Sequence, residues 1–286
     1  MDTVSKGAAC VYLALSGNAP CLIGRNGTIE LQVLHGGAGD SSLRLQLELH
    51  AGVFPSTEES VAAWIRAYKA ALNVVDTEPI VAGWYAPLRV VEEALLRRNC
   101  FSENYIPLRS LEPYYVSPML RWTSLLEGKR VAVVSSFANT IAIQISRRRQ
   151  IWGEDADTLL PKTTEWVPVQ TGYSPALAQG RAAWPEGVDT WQEAVALLKK
   201  KVVESGASIC IIGCGGLGMI LGAELKREGL QCIVLGGATQ VLFGIKGRRW
   251  EKHDVISKLW TDAWVWPALD ETPRGAAIIE GGCYWN

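Results

Sequence analysis

Residues 207–250 read ASICIIGCGGLGMILGAELKREGLQCIVLGGATQVLFGIKGRRW. Residues 209–212 are apolar throughout, as in a strand buried on both faces. Gly213, Gly215 and Gly218 then fit G-x-G-x-x-G. Residues 219–227 have helical composition, and Gly229 is a natural stop. Residues 231–235 give a second buried strand. Gly236-Gly237-Ala238-Thr239-Gln240 follow, where strand hands over to helix. Backbone N–H groups at such handovers suit phosphate.

Working outward, residues 130–136 (RVAVVSS) form another buried strand, and residues 137–147 read as helix. Residues 151–187 are rich in proline and tryptophan and read as a strand with connecting loops. Thr190 caps a helix with apolar positions Trp191, Val195, Leu198 and Val202. Repeated β-α units of this kind predict an α/β fold, with a Rossmann-like, mainly parallel sheet and helices on both faces. Residues 1–127 read as an N-terminal α/β part and residues 128–286 as a Rossmann-like nucleotide-binding part of one compact unit.

In the first part, residues 8–15 read as a strand or helix and residues 21–25 as a strand end before the turn signal Asn26-Gly27. Residues 43–50 (LRLQLELH) alternate apolar and polar, which predicts a half-exposed strand. Residues 40–42 read as loop. Ser56 and Glu59 have capping-box spacing ahead of a helix with the stripe Val61, Trp64, Ile65, Tyr68, Leu72 and Val75. Residues 79–85 read as a short buried strand and residues 88–98 as helix. Residues 106–122 read as a loop with Arg109, Glu112, Tyr114, Tyr115 and Arg121. A long segment so dense in charged and aromatic groups is either a binding loop or a surface linker carrying an Arg–Glu pair.

The chain has 286 residues, 48% of them hydrophobic and 20% charged, which supports a sizeable core. Its net charge of −1 gives no support for a nucleic-acid or membrane-surface partner. No apolar run reaches the roughly 18 residues of a membrane helix. The seven cysteines lack disulfide or metal spacing and read as reduced thiols, which fits a cytoplasmic protein. The three histidines are dispersed, and no zinc, P-loop or G-x-S-x-G motif is present. The twelve tryptophans serve the core, with a few available to line a cleft.

A dinucleotide site also places an acid about 20 residues after its glycines, at the end of the next strand. Here that strand runs into Gly236-Gly237. No NAD is expected on that ground, although an NAD(P)-dependent oxidoreductase stays as the alternative. Glycine at these positions also permits tight helix–strand packing. Ser135 and Ser136, Gly213 and Gly215, and Gly236, Gly237, Thr239 and Gln240 sit at the carboxyl ends of three expected strands. Open parallel sheets bind ligands at that edge. Lys246 and Arg248 follow, placed to neutralise a phosphate. The C-terminal residues are expected to pack back on this region.

The segments IGRNGTIEL, AGWY, PLRSLEPYY, VVSSFANTI, LGGATQVLFGIKGRRW, WVWP and EGGCYW together resemble bacterial and large-virus proteins of the GT-D-fold group of glycosyltransferases. The resemblance runs from about residue 21 to the C-terminus, and LGGATQ-x-LFGIKG-[KR]-RW is its most specific piece. It implies a nucleotide sugar as donor substrate and a glycan or lipid-linked acceptor. Characterised members carry an R-F-G-D-G-E-like segment whose Asp-x-Glu pair serves metal and donor. The matching residues here are Arg25 to Glu30, with Arg25, Gly27 and Glu30 kept and Thr28 at the Asp position. The resemblance thus puts Arg25 and Glu30 at the reacting centre, with Glu30 as base or as the remaining ligand of Mn²⁺ or Mg²⁺. The glycine turns would hold the diphosphate, with Lys246 and Arg248 on its departing charge. Tyr85, Arg109 and Glu112 would serve the sugar or acceptor. A non-catalytic nucleotide- or sugar-binding module remains a further alternative, because of Thr28.

Overall fold

The apolar runs of the sequence become neighbouring strands of one sheet. The computed structural model describes residues 2–76, 88–97 and 106–286. The strands are β1 (Cys21–Gly24), β2 (Arg130–Ser135), β3 (Glu165–Gln170), β4 (Ile209–Gly213) and β5 (Gln231–Val234). They lie in the order β1-β5-β4-β2-β3, and every pairing is parallel. The α/β class and the parallel sheet are as the sequence leads one to expect.

Side chains of each strand alternate between two cores. Ala132, Val134, Cys210, Ile212, Cys232 and Val234 enter the first. Val131, Val133, Ile209, Ile211, Ile233 and Leu235 enter the second. Both faces are covered, so these strands cannot show a polar side.

The helices are α1 (Thr3–Ser16), α2 (Thr28–Gly36), α3 (Ser41–Ala51), α4 (Glu58–Leu72), α5 (Arg89–Arg97) and α6 (Ala138–Ser146). They continue with α7 (Arg148–Trp152), α8 (Ala156–Leu159), α9 (Pro175–Ala178), α10 (Trp191–Glu204), α11 (Gly218–Arg227) and α12 (Ala238–Leu242). Helices α2, α3, α4, α10 and α11 pack in the first core. Helices α1, α6 and α12 pack in the second. The chain therefore leaves β2 towards one face and the adjacent β4 towards the other. Such a divergence opens a crevice at the carboxyl ends of a parallel sheet.

Two local expectations are corrected. Residues 43–50 belong to α3, a helix and not a strand. Asp40 caps it, accepting from the N–H groups of Ser42 and Leu43 at 2.8 and 3.1 Å, and Gly52 closes it in the left-handed conformation. Leu45 is half exposed, so the alternating leucines do not share one buried face. The cap of α4 is Thr57, accepting from Ser60 N–H at 3.2 Å, and not Ser56. Thr190 does cap α10, in a reciprocal capping box with Glu193. The strand expected at residues 79–85, Tyr85 included, lies outside the described residues.

Residues 1–127 and 128–286 share the sheet, since β1 pairs along its full length with β5. The Gln231 amide donates to the carbonyl of Gly17 at 2.7 Å and those of Leu15 and Ala19 at 3.3 and 3.4 Å. These bonds fix the connection from α1 to β1. Trp64 of α4 is fully buried, and its indole N–H donates to the Gly216 carbonyl at 2.9 Å. Trp64→Phe removes that buried hydrogen bond and is expected to cost about 2 kcal/mol of unfolding free energy. Urea titration checks this, and a loss under about 0.5 kcal/mol contradicts it.

Candidate functional site

A cavity of about 1060 Å³ opens at the carboxyl ends of the strands. Its wall is built from the segments that follow all five strands, the end of α3, residues 107–115 and residues 279–285.

The segment after β1 contributes Arg25 and Glu30. Gly27 is the N-cap of α2 and Glu30 its third residue. The Glu30 carboxyl turns back over Gly27, so that a Cβ on Gly27 would collide with it. Glu30 is buried, and burial pushes its pKa up against its own backbone N–H and the charge of Arg25. Behind this segment, fully buried Asn26 donates to Glu92 Oε1 at 2.7 Å and accepts from the Tyr68 hydroxyl at 2.8 Å. The backbone between Arg25 and Gly27 is thereby fixed.

Among the described residues, no three His, Cys, Asp or Glu side chains come together in a set suited to a metal. Thr28 Oγ1 is a buried atom without a hydrogen-bond partner. One buried carboxylate folded onto its own helix, with an arginine nearby, is a poor donor set for Mn²⁺ or Mg²⁺.

Ser135 and Ser136 line the cavity, but their turn is largely self-satisfied. Ser135 Oγ accepts from Phe137 N–H at 3.1 Å. The start of α6 already holds an anion: the Glu271 carboxylate accepts from the N–H groups of Asn139 and Thr140 and from the Thr140 hydroxyl.

The turn after β4 carries the G-x-G-x-x-G pattern. A Cβ on Gly213 would lie 2.8 Å from Thr239 Oγ1 and 2.9 Å from the Gly236 carbonyl, so the two glycine turns interlock. Gly215 has φ +57°, and a Cβ there would lie 2.6 Å from the Ala51 carbonyl. One on Gly218 would lie 3.1 Å from Val234 Cγ1. Each fingerprint glycine is accounted for by neighbouring protein atoms. Cys214, in the same turn, has its pKa pushed up to about 12 by burial, which disfavours a reactive thiolate.

The turn after β5 faces two arginines. A Cβ on Gly236 would lie 3.7 Å from the Arg25 guanidinium, and one on Gly237 3.2 Å from Arg249 Nη1. Thr239 Oγ1 and Gln240 Oε1 are buried without partners. The Gln240 amide nitrogen is committed elsewhere, donating to the carbonyls of Lys246 and Tyr284 at 2.6 and 2.8 Å.

The cation of the next segment is not one of those the sequence favours. Lys246 and Arg248 do not line the cavity, whereas Arg249 does. Lys246 Nζ sits 5.3 Å over the Trp260 ring. The tight 3₁₀ turn Arg248–Trp250 directs Arg249 inward. Arg249 pairs with Glu280, donates to Cys283 Sγ at 3.0 and 3.2 Å, and lies 4.1 Å over the Tyr284 ring. Glu280 has φ +47°, and its backbone N–H donates to His50 Nδ1 at 3.1 Å. The C-terminal segment thus packs back across the cavity.

Residues 107–115 bring Arg109 and Glu112 to the same wall. Arg109 lies 4.9 Å over the Tyr115 ring. Burial pushes Glu112 up to about 7, with Arg25 and Arg109 acting in the opposite direction. The Tyr114 hydroxyl neighbours Glu112 but is left without a hydrogen bond of good geometry. Arg121 is structural, since it is buried and clasps Asp155 with both terminal nitrogens. In the sequence Arg249 is one of three cations beyond the second glycine turn and is not singled out, and Glu280 figures only within the EGGCYW segment.

Six cavity-lining residues hold a buried polar atom without a partner: Thr28, Tyr114, Trp184, Thr239, Gln240 and Trp285. Unpaired buried polar atoms are scarce in folded proteins. Their concentration here marks a wall suited to a polar ligand.

No family model matches the chain, and no curated protein matches it significantly. Among solved structures it is similar to one reported in the words "The highly conserved domain of unknown function 1792 has a distinct glycosyltransferase fold". The identity is 12%, the TM-score 0.41, and the overlap covers 82% of this chain and 80% of that one. At that level the likeness carries no argument about chemistry, and the fold class rests on the sheet itself. No helix among the described residues is long and apolar enough to cross a membrane.

Proposed function

We propose that the protein is a glycosyltransferase of the GT-D type, which transfers a sugar from a nucleotide donor to a glycan or lipid-linked acceptor. The observation that carries this is the meeting of Arg25 and Arg249 at the Gly236-Gly237 turn, inside a cavity large enough for two substrates. Two guanidinium groups against a glycine turn suit a diphosphate, and they would hold the charge that develops as it departs. Glycine lets the phosphate oxygens approach the backbone closely. The sequence resemblance at residues 235–250 and 280–285 supports the same reading, because those segments supply the turn, Arg249 and Glu280.

In this scheme Gly213, Gly215, Thr239 and Gln240 shape the diphosphate wall. Arg25 stands between diphosphate and reacting carbon. Glu30, folded on its helix, orients Arg25. Arg109 and the aromatic rings beside it receive the sugar or the acceptor. The non-catalytic reading draws on one observation, that Thr28 leaves Glu30 without a second carboxylate.

A thermal-shift panel of UDP-sugars, GDP-sugars, NADH and NADPH, with and without Mn²⁺, tests the proposal. Stabilisation by at least one nucleotide sugar is expected. Stabilisation by NADPH alone would sink it. Donor binding without any release of nucleoside diphosphate on long incubation would favour the binding module.

A further inference from the structure

Three carboxylates line the cavity: Glu30, Glu112 and Glu280. Two are committed. Glu280 is paired with Arg249, and Glu30 is folded over Gly27. Glu112 differs. It retains partial exposure, lines the open space and has no ion-pair partner among the described residues. It precedes the 3₁₀ turn Pro113–Tyr115 in extended conformation, at φ −93° and ψ 99°. That turn is anchored through Tyr114, whose ring stacks on Trp152 at 6.1 Å and 9°. The carboxylate is therefore presented by a rigid support.

Arg25 links this carboxylate to the turn after β5. That guanidinium lies against Gly236 and acts electrostatically on Glu112. Glu112, Arg25, Gly236 and Gly237 line the same cavity, so a sugar carried by a diphosphate at that turn would enter the space that Glu112 borders. We propose that Glu112, rather than Glu30, takes the acceptor proton, and that transfer is a single displacement inverting the anomeric carbon. This rests on the glycosyltransferase reading.

The step balances as follows. The acceptor O–H gives its proton to the Glu112 carboxylate. The acceptor oxygen forms a bond to the anomeric carbon. The bond from that carbon to the diphosphate oxygen breaks, and its electron pair stays with the diphosphate facing Arg25 and Arg249. Glu112 then returns the proton to solvent. A base works best when its pKa lies near the working pH, and burial holds Glu112 at about 7.

The test follows nucleoside diphosphate release from UDP-glucose, UDP-galactose, UDP-N-acetylglucosamine and GDP-mannose, with water as acceptor, across neutral pH. The wild-type rate should rise with pH, because only the deprotonated carboxylate accepts a proton, with a midpoint near 7. These donors are α-linked, so the β-anomer of the free sugar should appear first by NMR. Glu112→Gln should lose about 10²- to 10⁴-fold in rate and the rising limb, while UDP affinity stays within about twofold. Glu112→Asp, which keeps a carboxylate, should retain the limb. Retained UDP binding in Glu112→Gln shows that the variant is folded.

An α-anomer appearing first overturns the assignment, as does a Glu112→Gln variant that keeps the limb. Loss of the limb in Glu30→Gln, with Glu112→Gln unchanged, returns the base to Glu30. If wild type binds neither UDP nor GDP and releases neither, the glycosyltransferase reading itself falls. That failure is seen without any variant, so the two are distinguishable.

Discussion

Gly215→Ala is expected to lower the unfolding free energy by about 3 kcal/mol, among the larger single-site losses. Two terms add. The residue sits at φ +57°, where a β-carbon is strained by about 1 to 2 kcal/mol. That β-carbon also meets the Ala51 carbonyl at 2.6 Å. The obstacle is backbone and cannot rotate aside, so α3 would have to move. Gly128→Ala isolates the first term: its φ is +70° and nothing lies within 4 Å of the added carbon. There a loss of only about 1 kcal/mol is expected. Urea unfolding of both variants measures the difference. If Gly215→Ala costs no more than Gly128→Ala, the α3 contact is not what demands the glycine, and a close ligand approach becomes the better reason.

Arg249→Ala should weaken binding of UDP about 10- to 100-fold, the scale of losing a charge-assisted hydrogen bond to phosphate. Glu280→Gln should act in the opposite direction. Its carboxylate pairs with Arg249, so an incoming diphosphate must displace it or bear its repulsion. Neutralising it leaves the guanidinium free for the phosphate, and affinity should rise several-fold. Both effects should shrink with added salt. Calorimetric titration of the two variants reads both signs. Equal weakening in both would mean that the pair only holds the C-terminal segment in place, and the diphosphate would have to be sought elsewhere on the wall.

The sheet was largely legible because strands buried on both faces leave unbroken apolar runs, as in residues 131–135, 209–212 and 231–235. The edge strand β3 was visible only as part of a longer span. Its side chains are mostly half-buried and Pro168 interrupts the pattern. Residues 43–50 misled for another reason: leucines at every second position mimic a strand when the helix they form buries only Leu47, Glu48 and Ala51. The cap at Asp40 was the better signal. In the site, residue types were legible but aim was not. Residues 246–249 hold three cations, and only the 3₁₀ turn determines that Arg249 is the inward one. Equally, Glu30 stood out by its motif, whereas Glu112 acquires its character from burial, which no local pattern records.

The pairing of β1 with β5 carries a consequence for the order of events during synthesis. Cys21–Gly24 dock on Gln231–Val234, so the first strand made waits for the last. Closing so long a loop is slow and late. Until residue 236 has left the ribosome, Arg25 has no Gly236 to face, and before residue 231 Gln231 is not there to hold the α1–β1 connection. A nascent chain of residues 1–127 has β1 but none of the segments after β2, β3, β4 and β5 that complete the cavity wall. Pocket assembly therefore comes late: the cavity closes only after every other strand is in place.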